Sequence, residues 1–396
     1  MTVSEREVRV LRPRRAAPAD AVRPTRAEVN LGALRANLRT LRRYADGAAV
    51  WAVLKADGYG HGAPAVARTL ERAGVNGFCV ALFEEGVELR DAGIRVPILV
   101  MGGYYGGVHR EMALRGMVPV VYDLAQVEEF ARLVRSGVIE GPVRVHLKVD
   151  TGMARLGVTM RELPQIVTSI AQLKEVRVEG LMSHFASADL LESTDTERQL
   201  ALFEEARALL RRGGVEPALC HVANSAGVLR KVGTLDAVRP GIALFGVSPF
   251  AHTDSGPQFQ QAMRVRTEII AIRDVPAGER IGYGGSYTTT APSVIATVAM
   301  GYADGLPRAL SNRGHMLVRG RRAPIVGAVS MDMTMLDVTT IGRVSVRDEV
   351  VVLGAQEGPQ GRDFISAAEV AAHVGTIAYE VLTSISRRVP RFYREP

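Results

Sequence analysis

Short apolar runs rich in β-branched residues recur along the first two thirds of the chain, at 50–54, 78–82, 97–101, 118–122, 143–149, 178–183, 218–222 and 237–244. Between them lie amphipathic stretches such as 63–73, 124–134 and 196–211, each long enough for a crossover helix. Strand and helix patterns in alternation mark a parallel sheet built from βα units. Eight successive units with no second sheet-forming pattern predict an α/β fold of the closed (β/α)8 TIM type over 26–250, rather than an open doubly wound sheet. After Gly246 the pattern changes. Runs at 263–272, 293–300, 323–329, 333–338 and 349–353 read as strands separated by turn residues, so 261–396 is predicted to be a second, mainly β domain closed by a helical segment at 366–386. Residues 252–260, with Pro257 and several polar side chains, read as the linker.

At 396 residues the chain exceeds one ordinary core, in keeping with two domains. No apolar run is long enough to cross a bilayer, so a membrane-spanning role is excluded. The net charge of +7 raises the question of nucleic acid. Much of that charge sits in residues 1–26, where Arg6, Arg9, Arg12, Arg14, Arg15, Arg23 and Arg26 face only Glu5, Glu7 and Asp20. A basic stretch without interleaved aromatics reads as a solvated arm, so residues 1–25 are predicted to be disordered and no nucleic-acid partner is expected. The arm has no apolar core of a secretory signal, and Cys79 and Cys220 both fall in predicted core strands. A reduced, cytoplasmic protein without a metal site follows as the expectation.

In a barrel of this kind reactive groups collect at the C-terminal ends of the strands. Lys55 follows the first run, Lys148 and Asp150 lie at the fifth, His184 follows the sixth, Asn224 the seventh, and Arg239 lies within the eighth. A lysine ending an apolar strand is poorly solvated, which lowers its pKa toward use as a nucleophile or base. Taken alone, Lys55 reads better as a snorkelling lysine at a strand end. The glycines Gly58, Gly60 and Gly62 add a tight loop where backbone approaches a ligand closely.

The stretch Ala-Val-Leu-Lys-Ala-Asp-Gly-Tyr-Gly-His-Gly around Lys55 resembles the cofactor-lysine motif of the alanine racemase family. Further matches run in order through 145–157, 184–189, 221–226, 238–241, 281–287, 300–308, 329–332 and 376–393, leaving only about the first 25 residues outside. The resemblance implies a homodimeric enzyme that interconverts L- and D-alanine with pyridoxal 5′-phosphate and supplies D-alanine for peptidoglycan. Lys55 would hold the cofactor covalently and act as one catalytic base, and Tyr283, from the other subunit, as the second. Asn224, Ser225, Gly241 and Ile242 would contact the phosphate together with Tyr59 and Tyr379. A helix cap at Asn224 and a simple turn at Gly241 are the alternatives that local sequence offers. Arg239 would face the pyridine nitrogen. An arginine only donates hydrogen bonds, so that nitrogen would stay unprotonated and the ring would be a weaker electron sink, which disfavours transamination.

The same resemblance makes Lys148 a carbamylated lysine that orients Arg155 toward the substrate carboxylate; a salt bridge from Lys148 to Asp150 is the other reading. His184 would stack on the pyridine ring, or else be a satisfied core histidine. Met331 and Asp332 would come from the partner subunit to meet the substrate, with a plain core methionine as the alternative for Met331. Tyr302 and Asp304 would line a narrow substrate corridor. Two departures stand out: Ala154 precedes Arg155 where the family often has glycine, and Ser330 stands where a cysteine sometimes occurs. Barrel decarboxylases would need a carboxylate in place of Arg239 and a late cysteine, and none follows Cys220. A small non-catalytic barrel that binds the cofactor would lack the second domain and Tyr283. Racemases of serine or lysine differ only in pocket size, a weak discriminator.

Overall fold

The computed structural model describes residues 22–103, 107–250 and 259–395. Residues 1–21 of the basic arm and most of the expected linker lie outside the described residues. A first strand, Arg26–Asn30 (β1), precedes eight that form one parallel sheet: Ala49–Val53 (β2), Gly77–Val80 (β3), Ile98–Val100 (β4), Val118–Val121 (β5), Val143–Lys148 (β6), Val176–Met182 (β7), Leu219–His221 (β8) and Ala237–Val238 (β9). From β2 to β8 each strand pairs in parallel with its sequence neighbour, and β9 pairs with β2 through Ala49 with Ala237 and Val50 with Val238. Backbone bonds from Asp236 N–H to the Cys220 carbonyl and from Arg239 N–H to the Ala223 carbonyl close the ring. The barrel is the one that the alternating pattern predicts. Its strands are buried on both faces, which is why they read as continuous apolar runs rather than alternating ones.

The eighth run is shorter than expected. Only Ala237–Val238 is strand, and Ile242–Phe245 winds into a 3-10 helix. Pro240 has no N–H for a sheet ladder, while the apolar residues after it are buried either way, so hydrophobicity could not separate the two states. The helical segment at 366–386 is two helices, Ala367–Val374 and Ala378–Ser384, parted at Gly375, whose φ of +71° suits glycine.

The second sheet takes Met263–Val275 (β10), Ser293–Val298, His315–Val318, Arg321–Pro324, Thr334–Asp337, Glu349–Gly358, Gly361–Ile365 and Arg391–Arg394. It also takes β1, which lies antiparallel to β10 and parallel to Arg391–Arg394. The first described strand therefore belongs to the sheet of the second domain, where the sequence pattern had assigned 26–30 to the barrel. The arm is also anchored before that strand. Arg23 reaches Asp304 at 2.8 and 2.9 Å, and Thr25 meets the Thr267 hydroxyl at 2.9 Å, so 22–25 are not part of a free arm. Among the described residues no helix is long and apolar enough to cross a membrane.

One buried carboxylate ties this sheet together. Glu28 on β1 is 3% exposed and meets Arg26 at 3.0 Å, Arg264 at 3.0 Å, Arg266 at 3.0 Å and Arg394 at 2.7 Å. Removing its charge takes that partner from Arg26 and Arg394 and leaves Arg264 and Arg266 with only the partly exposed Glu349 and Glu268. Glu28→Gln should therefore cost about 3 kcal/mol or more, by the usual penalty for breaking a buried pair from one side. Denaturant unfolding read from the second domain checks this, and a change under about 1 kcal/mol would assign the cluster to the screened surface class.

Candidate active site

Lys55 opens a turn of unusual hand. Ala56, Asp57, Gly58, Tyr59 and Gly60 all have positive φ, between 51° and 79°. Left-handed backbone costs an ordinary residue about 1–2 kcal/mol because Cβ crowds the following carbonyl. Three of these five carry side chains, so surrounding contacts must hold the turn. Glu85 supplies part of that: its carboxylate accepts the N–H groups of Ala56 at 2.6 Å, Ala81 at 2.8 Å and Leu82 at 3.0 Å. The sequence reading gave Glu85 no role, and a lone glutamate at the start of a helix carries no local signal for one.

The turn aims Tyr59 into the barrel. Tyr59 is buried, its ring 4.9 Å from Phe245 and 6.0 Å from Tyr379. Burial raises the pKa of both phenols, that of Tyr379 to about 12, so both are hydroxyl donors at neutral pH. The Tyr59 hydroxyl lies against Gly241, where any Cβ would strike it. Gly241 donates its N–H to Ser225 Oγ at 2.9 Å, which leaves the serine O–H available as a donor. Asn224 is the cap of the helix Ser225–Arg230, with Oδ1 accepting the Gly227 N–H at 3.0 Å. The cap alternative for Asn224 is thus realised, with its amide nitrogen still free to face the mouth. Ile242 begins the 3-10 helix, and its N–H finds no acceptor among the described residues.

Arg239 is 2% exposed and nearly enclosed by acceptors. It donates to the carbonyls of His221 at 2.9 Å, Ser183 at 2.5 Å and Val222 at 3.3 Å, and to the ring nitrogens His221 Nδ1 and His184 Nδ1, the latter at 3.3 Å. Because arginine only donates, His221 Nδ1 must accept, so His221 carries its proton on Nε2 and donates at 2.8 Å to His146 Nδ1. Burial and the Arg239 charge hold all three histidines neutral, His146 down to about 3. Arg239 Nε is buried with no hydrogen-bond partner among the described residues. The sequence reading gave His221 and His146 no role, although His221 ends β8, because each acts through a partner that only packing brings near.

Four cations share this mouth. Lys55, Lys148, Arg155 and Arg239 all act electrostatically on His184, and none forms an ion pair with a carboxylate among the described residues. Burial and Arg155 lower the pKa of Lys55; burial, Arg155 and Arg239 hold Lys148 down to about 8. Asp150 does not pair with Lys148. Its Oδ1 accepts three backbone N–H groups, from Gly152 and Met153 at 2.9 Å and Ala154 at 3.2 Å, and so shapes the loop that presents Arg155. Ala154 has a φ of +52°, the left-handed region that favours glycine, so this departure carries a small backbone strain.

The remaining residues lie on the second domain. Tyr283, in a short 3-10 turn, is 77% exposed, and Tyr302 and Met331 are also exposed. Tyr302 N–H bonds the Ser330 carbonyl at 2.9 Å, which sets it beside Met331. The exposure of Met331 sets aside the core-methionine reading. Asp332 pairs with Arg388 at 2.6 Å, and Asp304 is fully buried beneath Arg23 and Arg388. Ser330 Oγ donates to the Met333 carbonyl at 2.7 Å, a local bond that its own loop satisfies. Among the described residues no hydrogen bond or ion pair joins Tyr283, Tyr302 or Met331 to the barrel mouth. The described residues contain no cluster of three metal-ligating side chains.

The donor set tests well against pyridoxal phosphate: a half-buried amine at Lys55, an unpartnered buried N–H at Arg239, and a glycine-walled recess at Gly241 rimmed by hydroxyls. Residues 29–249 match the family described as "Alanine racemase, N-terminal domain" and 262–393 match "Alanine racemase, C-terminal domain". The chain is 57% identical over 382 residues to the alanine racemase of Sorangium cellulosum, covering 95% of this chain and 100% of that one. It superposes on the alanine racemase of Streptomyces lavendulae with a TM-score of 0.89 at 34% identity, covering 95% and 98% of the two chains. The Bartonella henselae alanine racemase, with covalently bound pyridoxal phosphate, gives 0.83 at 30% identity over 94% and 99%.

Proposed function

The chain belongs to the alanine racemase family, and from that premise we propose that it interconverts L- and D-alanine by a two-base mechanism on pyridoxal 5′-phosphate. The observation that carries the reading is the group of four cations around His184, none in an ion pair among the described residues, with Glu85 and Asp150 acting on Lys55 and Lys148 only from a distance. Such a mouth suits a ligand with a phosphate and a substrate with a carboxylate. When bound, the cofactor acidifies the α-C–H of the amino acid joined to it. Lys55 would hold it covalently. Tyr59, Ser225, Asn224, Tyr379 and the N–H groups near Gly241 and Ile242 would hold its phosphate, and His184 would serve its ring. Arg239, whose Nε is the N–H left without a partner among the described residues, would serve the pyridine nitrogen as a donor only.

Racemisation takes a proton from one face of the α-carbon and returns one to the other, so bases are needed on both sides. The lowered pKa of Lys55 suits it to one side. Tyr283 is assigned to the other. Its exposure in the single chain supports delivery by a second copy, in a homodimer with shared sites, where Met331 and Asp332 would accompany it. Tyr302, also exposed, is assigned to the substrate corridor, with Asp304 and its ion pairs fixing the loop beneath. Arg155 binds the substrate carboxylate. Lys148, partly neutral near pH 8 and lacking an anionic partner, carries the carbamate that orients Arg155. Both cysteines are buried free thiols, which suits a reducing cytoplasm, where the product would serve peptidoglycan synthesis.

The purified protein assayed against a panel of L-amino acids should form the D-isomer fastest with alanine. Failure to attach pyridoxal phosphate to Lys55, read by borohydride trapping and peptide mapping, would overturn the proposal. Arg239→Glu should keep the cofactor yet raise the ratio of pyruvate to D-alanine by about tenfold or more, since a protonated ring accepts electrons better. An unchanged ratio would remove the role given to Arg239.

A further inference from the structure

The left-handed turn after Lys55 is held from two directions. Its carbonyls are all engaged: Ala56 accepts the Gly60 N–H at 2.9 Å, Asp57 the Gly62 N–H at 2.9 Å, and Gly58 the His61 N–H at 3.0 Å. The His61 ring lies fully buried under the turn, with Nδ1 3.0 Å from the Gly58 carbonyl and 2.8 Å from that of Tyr59. Two carbonyls can only accept, so Nδ1 bears the ring proton. Burial, with the Arg391 charge adding to it, holds the ring down to about 4, so it stays neutral with this one tautomer.

The last carbonyl of the turn, Gly60, accepts from Arg391 Nε at 3.0 Å. Arg391 opens the final strand, which pairs with β1 in the second domain. Its guanidinium is buried and also donates to the carbonyls of Ser386 at 2.5 Å, Val389 at 2.5 Å and Ile385 at 2.6 Å. Those carbonyls follow the helix Ala378–Ser384, which carries Tyr379 and whose Leu382 carbonyl packs so closely on Gly60 that no side chain would fit there. One planar fork thus fastens the C-terminal segment to the turn between Lys55 and Tyr59.

We infer that Arg391 and His61 are positioning residues, which hold the carbonyls of the left-handed turn and thereby fix the directions of Lys55 and Tyr59 for the reaction. The inference rests on the proposed function for what Lys55 and Tyr59 do, but not for how the turn is held. Both ends of the cofactor would be set by one strained element, so a small relaxation of that element displaces base and phosphate ligand together. Lysine at 391 keeps the charge and loses the fork.

Amide exchange on the full-length chain, with and without pyridoxal phosphate, tests this. In Arg391→Lys the amides of Gly58, Gly60, His61 and Gly62 should exchange at least about tenfold faster in the cofactor-free protein, while those of β5 and β6 keep the parent rate. In the loaded enzyme kcat should fall about ten- to a hundredfold with KM for alanine little changed, the pattern of misplaced reacting groups. His61→Phe keeps ring packing on Phe245 and loses the donor, so it should give the same two signatures. Millimolar guanidinium should partly restore kcat in Arg391→Ala. Parent-like exchange on the turn in both Arg391→Lys and His61→Phe overturns the inference, as does faster exchange spread evenly over the barrel, which marks a purely structural role. Should the parent fail to attach the cofactor at Lys55, the proposed function falls, while the exchange result in the cofactor-free chain still decides how the turn is held.

Discussion

Lys55→Ala should lower the rate of D-alanine formation from L-alanine by about four orders of magnitude or more, since the proposed mechanism gives one residue both covalent attachment and proton transfer on one face. The environment of Lys55 explains why the loss should be so large. Burial and the Arg155 charge favour its neutral amine, while Glu85, tied to the backbone of the turn, pulls weakly the other way. The substituted protein should still take up pyridoxal phosphate without a covalent bond, because Tyr59, Ser225 and the backbone near Gly241 are untouched. Initial rates together with borohydride trapping check both halves. Activity within about tenfold of the parent would assign the covalent role to another lysine, and Lys148 would be the first to examine.

Tyr283→Phe should leave covalent attachment intact and lower racemisation by about a hundred- to ten-thousandfold, the range for loss of one acid–base group. It should also be asymmetric. Solvent deuterium should still enter the α-position of one enantiomer, through Lys55, and enter the other only slowly. Equal exchange from both enantiomers would reject the assignment. Because Tyr283 is 77% exposed in a single chain, a mixing experiment gives an independent reading. Lys55→Ala and Tyr283→Phe chains, each nearly inactive, should regain about a quarter of parent activity when unfolded together and refolded, since half of the dimers are hybrids with one intact site of two. No recovery would place both bases of a site on one chain.

These expectations draw on the sequence to different depths. The run from Val50 to Lys55 shows how far pattern reaches. An apolar strand and a lysine at its end are both visible in one dimension, because strand burial and chain direction are local properties. Arg239 was legible by its place before Pro240 and Gly241, and its role toward the pyridine nitrogen came only from the family resemblance, not from its neighbours in sequence. What makes it a donor of one remaining N–H is the ring of carbonyls and imidazoles from β7 and β8, residues some 17 to 56 positions away. His221, His146, Glu85, His61 and Arg391 escaped the sequence reading for the same reason, since each acts through a partner that only packing brings near. Asp150 was read as part of the charged group at the end of the fifth strand, and Asp304 as lining the substrate corridor. Folding instead turns them inward onto backbone N–H groups and arginines.

The alternation of apolar and amphipathic segments by itself determined a barrel of eight βα units followed by a β domain, because burial on both faces of a parallel sheet leaves a periodicity that needs no knowledge of contacts. Ordered motifs likewise marked Lys55 and Tyr283. Tertiary structure alone decided that the first and last described strands share one sheet, β1 beside Arg391–Arg394, since strand pairing depends on partners more than 360 residues apart. It alone decided the tautomers of the buried histidines, the hand of the turn behind Lys55 and the exposure of Tyr283. Each of these is set by which groups are left to accept or donate once the backbone is packed, and a linear sequence does not state that.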